Sequence, residues 1–356
     1  MAGPIRTEPV GDVEDANALN PSELGFMCGI EVHQQLATGK LHSRQPGVLY
    51  DVTIDTVPEQ WTRFQRRLRA ARGEGGAIDI AARFESRRNR SFVYVQSPNS
   101  GLIELDEQPP LPHDRDAVEI ALTVSALLKA KPVSLLQTMR KTVVDGSNTS
   151  GFQRTSLISV DGVLETETGP VGVDVLCLEE DSARKLDTLS TSNGEQVIYN
   201  LDRLGLPLIE IATSPDVVSP EHAKETSMAL GRCLRQTRRV RRGLGSIRQD
   251  LNVSLACGDR VEIKGCQDLS WIPRIIRLEM SRQLHFYRLA NQLRSDLSLP
   301  ALPPDRRSDD SVVETEVAKA VAAHLPLVLE DTSECFTSCE SKMVKTGLAI
   351  GFHLDS

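Results

Sequence analysis

The sequence predicts an α+β fold. Short segments alternate polar and apolar residues, helical stretches are interleaved with them without a regular βαβ period, and neither an internal repeat nor a GxGxxG fingerprint is present. At 356 residues and 40% apolar composition, the chain can bury a substantial core and would ordinarily fill two or three domains. Aromatic residues make up only 4%, so that core rests on Leu, Ile, Val and Ala. The 41 basic and 49 acidic side chains leave a charge of -8, which excludes a uniformly basic nucleic-acid coat but not a local basic patch.

Taken in order, residues 1–25 are polar, contain Gly3-Pro4 and Asn20-Pro21, and read as a flexible leader. Glu8, Asp12, Glu14, Asp15 and Glu23 and the lack of an apolar run argue against a secretory or Arg-rich transit signal. Strand-like alternation begins at Cys28. Residues 114–130 place Ala117, Val118, Ile120, Ala121, Val124 and Leu127 at helical spacing. A second helix is predicted over 219–236, opened by Ser219-Pro220-Glu221, and a third from Pro273 to Arg294.

The run 295–311 holds three prolines among polar residues and reads as a linker. A helix-like stretch follows from Val313 to Leu325, stopped by Pro326, and an apolar run, Leu348 to Phe352, lies close to Ser356. Residues 312–356 are too few for a core of their own and are expected to be part of an incomplete domain. No stretch approaches the ~20 apolar residues that span a bilayer, so a soluble chain without a membrane partner is expected. The seven cysteines include no CxxC pair, and Cys335 with Cys339 lacks a second pair to complete a zinc site. Buried thiols in a reducing cytoplasm are the expectation.

Four strand-like segments sort polar from apolar side chains by the two-residue period of a strand. In 30–36, Glu31, His33 and Gln35 share a face; in 208–212, Glu210 opposes Ile209 and Ile211. Asp250, Asn252 and Ser254 oppose Leu251, Val253 and Leu255, while Glu262 and Lys264 oppose Val261 and Ile263. Any one of these fits an antiparallel sheet with a solvated face; four together can line a charged cleft. Carboxylates gathered there need a counter-charge, which a hard divalent cation supplies, with Glu31, Glu179, Glu180, Glu210 and Glu262 as candidates. His33 is equally readable as a ligand or as a histidine orienting a carboxylate, and Glu179-Glu180-Asp181 as a solvated face.

Residues 140–155, RKTVVDGSNTSGFQRT, flank a Gly/Ser/Asn turn with Arg140, Lys141 and Arg154. Backbone N–H groups of such a turn can hold a phosphate chain, although the run is not a Walker loop and a plain hairpin turn is the simpler reading. Arg232, Arg235, Arg238, Arg239, Arg241 and Arg242 form the densest basic run, with Arg63, Arg66, Arg67, Arg69 and Arg72 as a second cluster. Both are candidates for phosphate-backbone contact, against helix capping and solvation as the alternative.

GIEVHQQL (29–36), RKTVVDGSNTSGFQRT (140–155), LEEDSAR (178–184), LDRLGLPLIEIATSPD (201–216) and GLGSIRQDLNVS with VEIKG (243–254, 261–265) resemble the E-type subunit of the archaeal-type glutamyl-tRNA(Gln) amidotransferases. The bacterial-type counterpart, the B-type subunit, shares some of these elements. The resemblance implies a cradle-type α+β catalytic domain over 26–294, with a mainly antiparallel sheet and surrounding helices. It implies a glutamine-hydrolysing carbon–nitrogen ligase that uses ATP and Mg²⁺ to convert Glu-tRNA(Gln) to Gln-tRNA(Gln). The route runs through a γ-glutamyl phosphate attacked by ammonia from a partner, the asparaginase-like glutaminase or D-type subunit, in a hetero-oligomer.

By motif, His33, Glu180 and Glu210 become the metal positions, with Glu31 beside them and Glu179 as the alternative to Glu180. Ser147 and Asn148 are candidates for the nucleotide-binding pair, and Lys141, Arg154, Arg248 and Lys264, chosen by charge and by membership in these motifs, for the contacts to phosphate or acyl phosphate. The chain departs from the family where Lys40-Leu41 leads into His42-Ser43-Arg44 in place of nearby cysteines. Residues 331–350 resemble the opening of a domain inserted in the E-type subunit and related to one in bacterial-type aspartyl-tRNA synthetases. A second reading is a catalytically incomplete remnant that binds tRNA or a partner.

Overall fold

The computed structural model describes residues 7–305, apart from 68–75, 77, 79, 89 and 193. The proposed partial domain at 312–356, the last residues of the linker and Arg69 and Arg72 lie outside the described residues. In chain order the elements are β1 (Met27–Gln35), β2 (Arg63–Arg66), α1 (Ile80–Arg87), β3 (Arg90–Val95), α2 (Arg115–Leu127), β4 (Lys131–Pro132), β5 (Thr138–Thr142), β6 (Phe152–Leu164) and β7 (Val171–Glu180). They continue with β8 (Arg184–Thr191), β9 (Gly194–Asn200), β10 (Pro207–Thr213), α3 (Pro220–Gln236), β11 (Ile247–Ser254), β12 (Val261–Lys264) and α4 (Ile272–Asp296). Each of the three predicted helices forms. The mixed, mainly antiparallel composition is the α+β class that the sequence predicts.

The chain divides into two compact units, one of residues 31–213 and 229–249, the other of residues up to 30, 214–228 and from 250 onward. The expected catalytic domain over 26–294 draws on both.

In the larger unit one sheet runs β1-β10-β7-β6-β4, all antiparallel, with β5 also paired to β6. Its interior is aliphatic: Leu176, Leu178, Leu208, Ile209 and Ile211 are each buried. Helix α2 covers β6 and β7, burying Ala117, Ile120, Ala121 and Val124, and Ser125 bonds Ser159 across the contact at 2.8 Å. Asp114 caps it by accepting from the Ala117 N–H at 2.9 Å.

A second sheet, β2-β3-β9-β8, is antiparallel except for the β3–β9 pair. It collects three of the scarce aromatics, Phe92, Tyr94 and Tyr199, around Leu105, Val197, Leu201 and Leu204. The β5–β6 connection is a hairpin, as its turn residues predict. Gly146 there has φ +83°, and a Cβ at that position would run into the Phe92 ring.

In the smaller unit β11 pairs antiparallel with β12, and α4 buries Ile272, Ile276, Met280 and Leu284. Residues 7–25, read as a flexible leader, are packed here. Leu19 and Leu24 are buried, Ser281 donates to the Val13 carbonyl at 2.6 Å, and the Tyr287 hydroxyl to Glu8 at 3.1 Å. Two isolated leucines in a polar run provide the anchors, a signal too sparse for a periodicity argument. The start of the expected linker is likewise held: Leu302 is buried and its N–H donates to Asn291 Oδ1 at 2.7 Å. Among the described residues no helix is long and apolar enough to cross a membrane.

Leu178 has no exposed surface and lies on a strand with neighbours on both sides. Leu178→Ala is expected to cost about 2–5 kcal/mol, the usual range for a large-to-small change in a core. A thermal melt should show a clear drop in Tm, whereas Leu244→Ala, at a fully exposed position, should leave the melt unchanged.

Candidate active site

Strand register assembles the charged face. His33 on β1 lies opposite Glu210 on β10, Glu210 opposite Cys177 on β7, and Glu179 opposite both Leu208 and Thr155. Lys141 on β5 faces Gln153 of β6. Because alternate residues of a strand share a face, Glu31, His33, Lys141, Thr155, Glu179 and Glu210 project from the same side of this sheet.

The distances bear out the grouping. The ligand atoms of Glu31, His33 and Glu210 all lie within 4.8 Å of one another. His33 Nε2 is 3.4 Å from Glu31 Oε1 and 3.5 Å from Glu179 Oε1. Lys141 Nζ donates to Glu210 at 2.7 Å and stands 3.4 Å from Glu179, which also accepts from Thr155 Oγ1 at 3.0 Å.

Burial and charge work against each other here. Glu179 is 1% exposed, and its carboxyl is pushed up to about 7, first by burial and then by the Glu210 charge. Burial alone would raise Glu210 too, but the hydrogen bonds from Lys141 and Glu179 outweigh it and hold Glu210 below the usual carboxylate range. Burial disfavours the Lys141 ammonium, yet the bond to Glu210 and the charges of Glu179 and Glu210 hold it above its ordinary value. Of the two carboxyls it is therefore Glu179, and not Glu210, that takes up a proton near neutrality.

The other predicted positions are distributed differently. Glu180, one residue on from Glu179, points to the opposite face, where Arg154 Nη1 donates to it at 3.0 Å. Glu180 thus stands apart from the Glu31, His33 and Glu210 trio, and Glu179 is the residue of that pair beside it. Arg154 lies with Glu180, away from Lys141. Arg248 donates to Asp181 Oδ1 at 3.1 Å; Asp181, just past β7, is 1% exposed and also accepts from Gln35 Nε2 at 2.7 Å. Lys264 belongs to the smaller unit, where it pairs with Glu262 at 2.6 Å and Asp250 at 3.5 Å.

Ser147 and Asn148 are buried and already engaged, Ser147 within the hairpin and Asn148 with the segment after β7. The Ser147 hydroxyl donates to Asp145 at 2.6 Å, and Asn148 Oδ1 accepts from Ser182 Oγ at 2.9 Å. Of the arginine clusters, Arg239 pairs with Asp116 and Glu119, Arg241 donates to the Leu36 carbonyl, and Arg66 pairs with Glu107. Sequence reasoning also misses fully buried Lys40, which donates to the Leu201 carbonyl at 3.1 Å and stands 3.7 Å from Glu104, with burial lowering its pKa to about 8. No local pattern in 38–42 marks a buried ion pair.

The raised Glu179 carboxyl yields a pH prediction. Its folded pKa exceeds its unfolded one, so the associated stability is fully present below about pH 4.5 and is lost as pH rises through about 7. Glu179→Gln cannot ionise and should match the wild type at pH 4, then become more stable than it by a few kcal/mol at pH 8 in metal-free buffer. Denaturant titrations at the two pH values measure that difference.

Residues 26–323 match the GatB/GatE catalytic domain. Among curated relatives, the E-type glutamyl-tRNA(Gln) amidotransferase subunit of Pyrococcus abyssi is 49% identical over 276 residues, covering 77% of this chain and 42% of its own length. That of Pyrococcus furiosus is 47% identical over 277 residues, 78% of this chain and 42% of the relative. The Methanocaldococcus jannaschii counterpart of the same name is 41% identical over 332 residues, 93% of this chain and 47% of the relative. The chain spans less than half the length of these relatives. With the match extending across both units, the chain belongs to the GatB/GatE catalytic domain family.

Proposed function

We propose that this chain carries the transamidase centre of a tRNA-dependent amidotransferase, converting Glu-tRNA(Gln) to Gln-tRNA(Gln). The observation that carries this reading is the convergence of Glu31, His33 and Glu210 beside Glu179 and Lys141 on one sheet face. Three carboxyls and an imidazole against one lysine leave a surplus of negative charge, and a donor set rich in oxygen suits Mg²⁺. Glu31, His33 and Glu210 would hold the cation, which when bound neutralises phosphate charge during transfer from ATP.

The chain's own residues supply the rest. Lys141 stands where it can counter the charge of an acyl phosphate formed on the glutamate side chain, while its bond to Glu210 fixes the ammonium in place. Glu179, whose carboxyl is raised to about 7, would exchange a proton with the group that attacks or leaves. Thr155 and His33 fix the Glu179 carboxyl between them. No protein nucleophile is required, because ammonia attacks the activated carboxyl and phosphate departs. Ammonia would come from a separate asparaginase-like glutaminase in a hetero-oligomer working in the cytoplasm, and Arg248 and Lys264 remain candidate contacts to phosphate or acyl phosphate.

The test combines the chain with such a glutaminase, glutamine, ATP, Mg²⁺ and Glu-tRNA(Gln), and measures Gln-tRNA(Gln). Glu210→Gln should reduce product formation by a factor of about 100 or more, as for loss of an electrostatic group at a reacting centre, with an unchanged melt. It should also weaken Mn²⁺ binding about tenfold or more. Near-normal turnover in Glu210→Gln would sink the assignment. Intact tRNA binding with no product from the wild-type chain would favour a binding role instead.

A further inference from the structure

The sheet face turned away from the carboxylates carries a second constellation. Alternation along β5 and β6 places Thr138, Arg140, Phe152 and Arg154 there, and together with His42 and residues 110–113 they line a cavity of about 400 Å³. Arg140 is exposed and has no carboxylate partner among the described residues; its guanidinium lies 4.9 Å from the Phe152 ring centroid. Arg154 lies 5.2 Å from the same ring and meets Glu180 through Nη1. One carboxylate against two guanidiniums leaves the cavity cationic.

His42 adds a specific demand. It is 5% exposed, and its Nδ1 is 2.8 Å from the Leu111 carbonyl. A carbonyl can only accept, so Nδ1 carries the proton. Burial, partly offset by that bond and reinforced by the Arg154 charge, lowers the imidazole pKa and keeps the ring neutral. Nε2 is then a lone-pair acceptor, and it is buried without a hydrogen-bond partner. The neighbouring His113 does not serve it, since its own Nε2 bonds Ser156 Oγ at 2.7 Å. Buried acceptors are rarely left unpaired, and here the missing group must be a donor.

A ligand that satisfies both features carries an anionic group and an O–H or N–H donor. A bare carboxylate offers Nε2 no proton, and a cation is repelled by the guanidiniums. A ribose phosphate joins an oxyanion matched to arginine forks to hydroxyl donors within one unit, and the volume lies in the ~300–1,000 Å³ range of small-ligand sites. We propose that this cavity binds a ribose phosphate, with the phosphate at Arg140 and Arg154 and a ribose hydroxyl donating to His42 Nε2. Free ribonucleotides and RNA strands both present that unit. The site is separate from the carboxylate face and needs none of the amidation chemistry.

Calorimetric titration of the full chain tests this with AMP, 2′,3′-dideoxy-AMP, and RNA and DNA hexamers of one sequence. Saturable AMP binding identifies a free nucleotide as the ligand; binding of RNA but not AMP identifies a strand. Either way, Arg140→Ala should weaken binding about tenfold or more, with an unchanged melt because Arg140 is exposed. Lys129→Ala, at an exposed position outside both sites, should bind as the wild type does. The dideoxy nucleotide, or the DNA hexamer in the strand case, should bind about tenfold more weakly than its ribose counterpart. The proposal is overturned if neither AMP nor RNA binds, if Arg140→Ala binds normally, or if removing the hydroxyls has no effect.

Discussion

Lys141 sits between Glu179 and Glu210, and the charged face depends on that arrangement. Two carboxylates brought together by antiparallel register repel one another by a few kcal/mol in a partly buried setting. Lys141 answers one of them with a 2.7 Å bond, and burial raises the carboxyl of the other to about 7. The sheet imposes the proximity: β10 lies between β1 and β7, so His33, Glu210 and Cys177 fall in one row and cannot separate without breaking the ladder. An aliphatic interior of Leu176, Leu178, Ile209 and Ile211 holds that ladder rigid. A site on such strands is positioned more sharply than one on loops.

The same alternation divides labour between the two faces at β5 and β6. Odd-numbered Lys141 and Thr155 serve the carboxylate cluster, while Arg140, Phe152 and Arg154 serve the cationic cavity. Glu179 and Glu180 follow the same rule on β7, one towards Lys141 and the other towards Arg154. A one-residue slip of β5 or β7 would exchange these sets, so the hairpin turn that fixes β5 against β6 has functional weight. Gly146 in that turn, with Ser147 bonded to Asp145 inside it and Asn148 tied to Ser182, pins the register.

Local periodicity makes much of this legible. The two-residue period in 30–36 and 208–212 is enough to put Glu31 and His33 on one face and to turn Glu210 away from Ile209 and Ile211. Helical spacing locates α2, and the Ser219-Pro220-Glu221 start locates α3. The relative parity of separate strands is not legible, because register depends on contacts far apart in sequence. Motif likeness alone thus favours Glu180, whereas the register brings Glu179 to His33 and Lys141. The described part of the leader is packed rather than flexible because two leucines, Leu19 and Leu24, anchor an otherwise polar run. Lys40 escapes a local reading for a related reason: its partners Glu104 and Leu201 lie far along the chain.

Locating the cation itself tests the carboxylate site most directly. Crystals of the chain grown with Mn²⁺ and measured at the manganese absorption edge would give an anomalous difference map. One strong peak is expected among Glu31, His33 and Glu210, on the Lys141 side of the sheet. A peak beside Glu180 and Arg154 instead, or no peak at saturating Mn²⁺, would contradict the assignment.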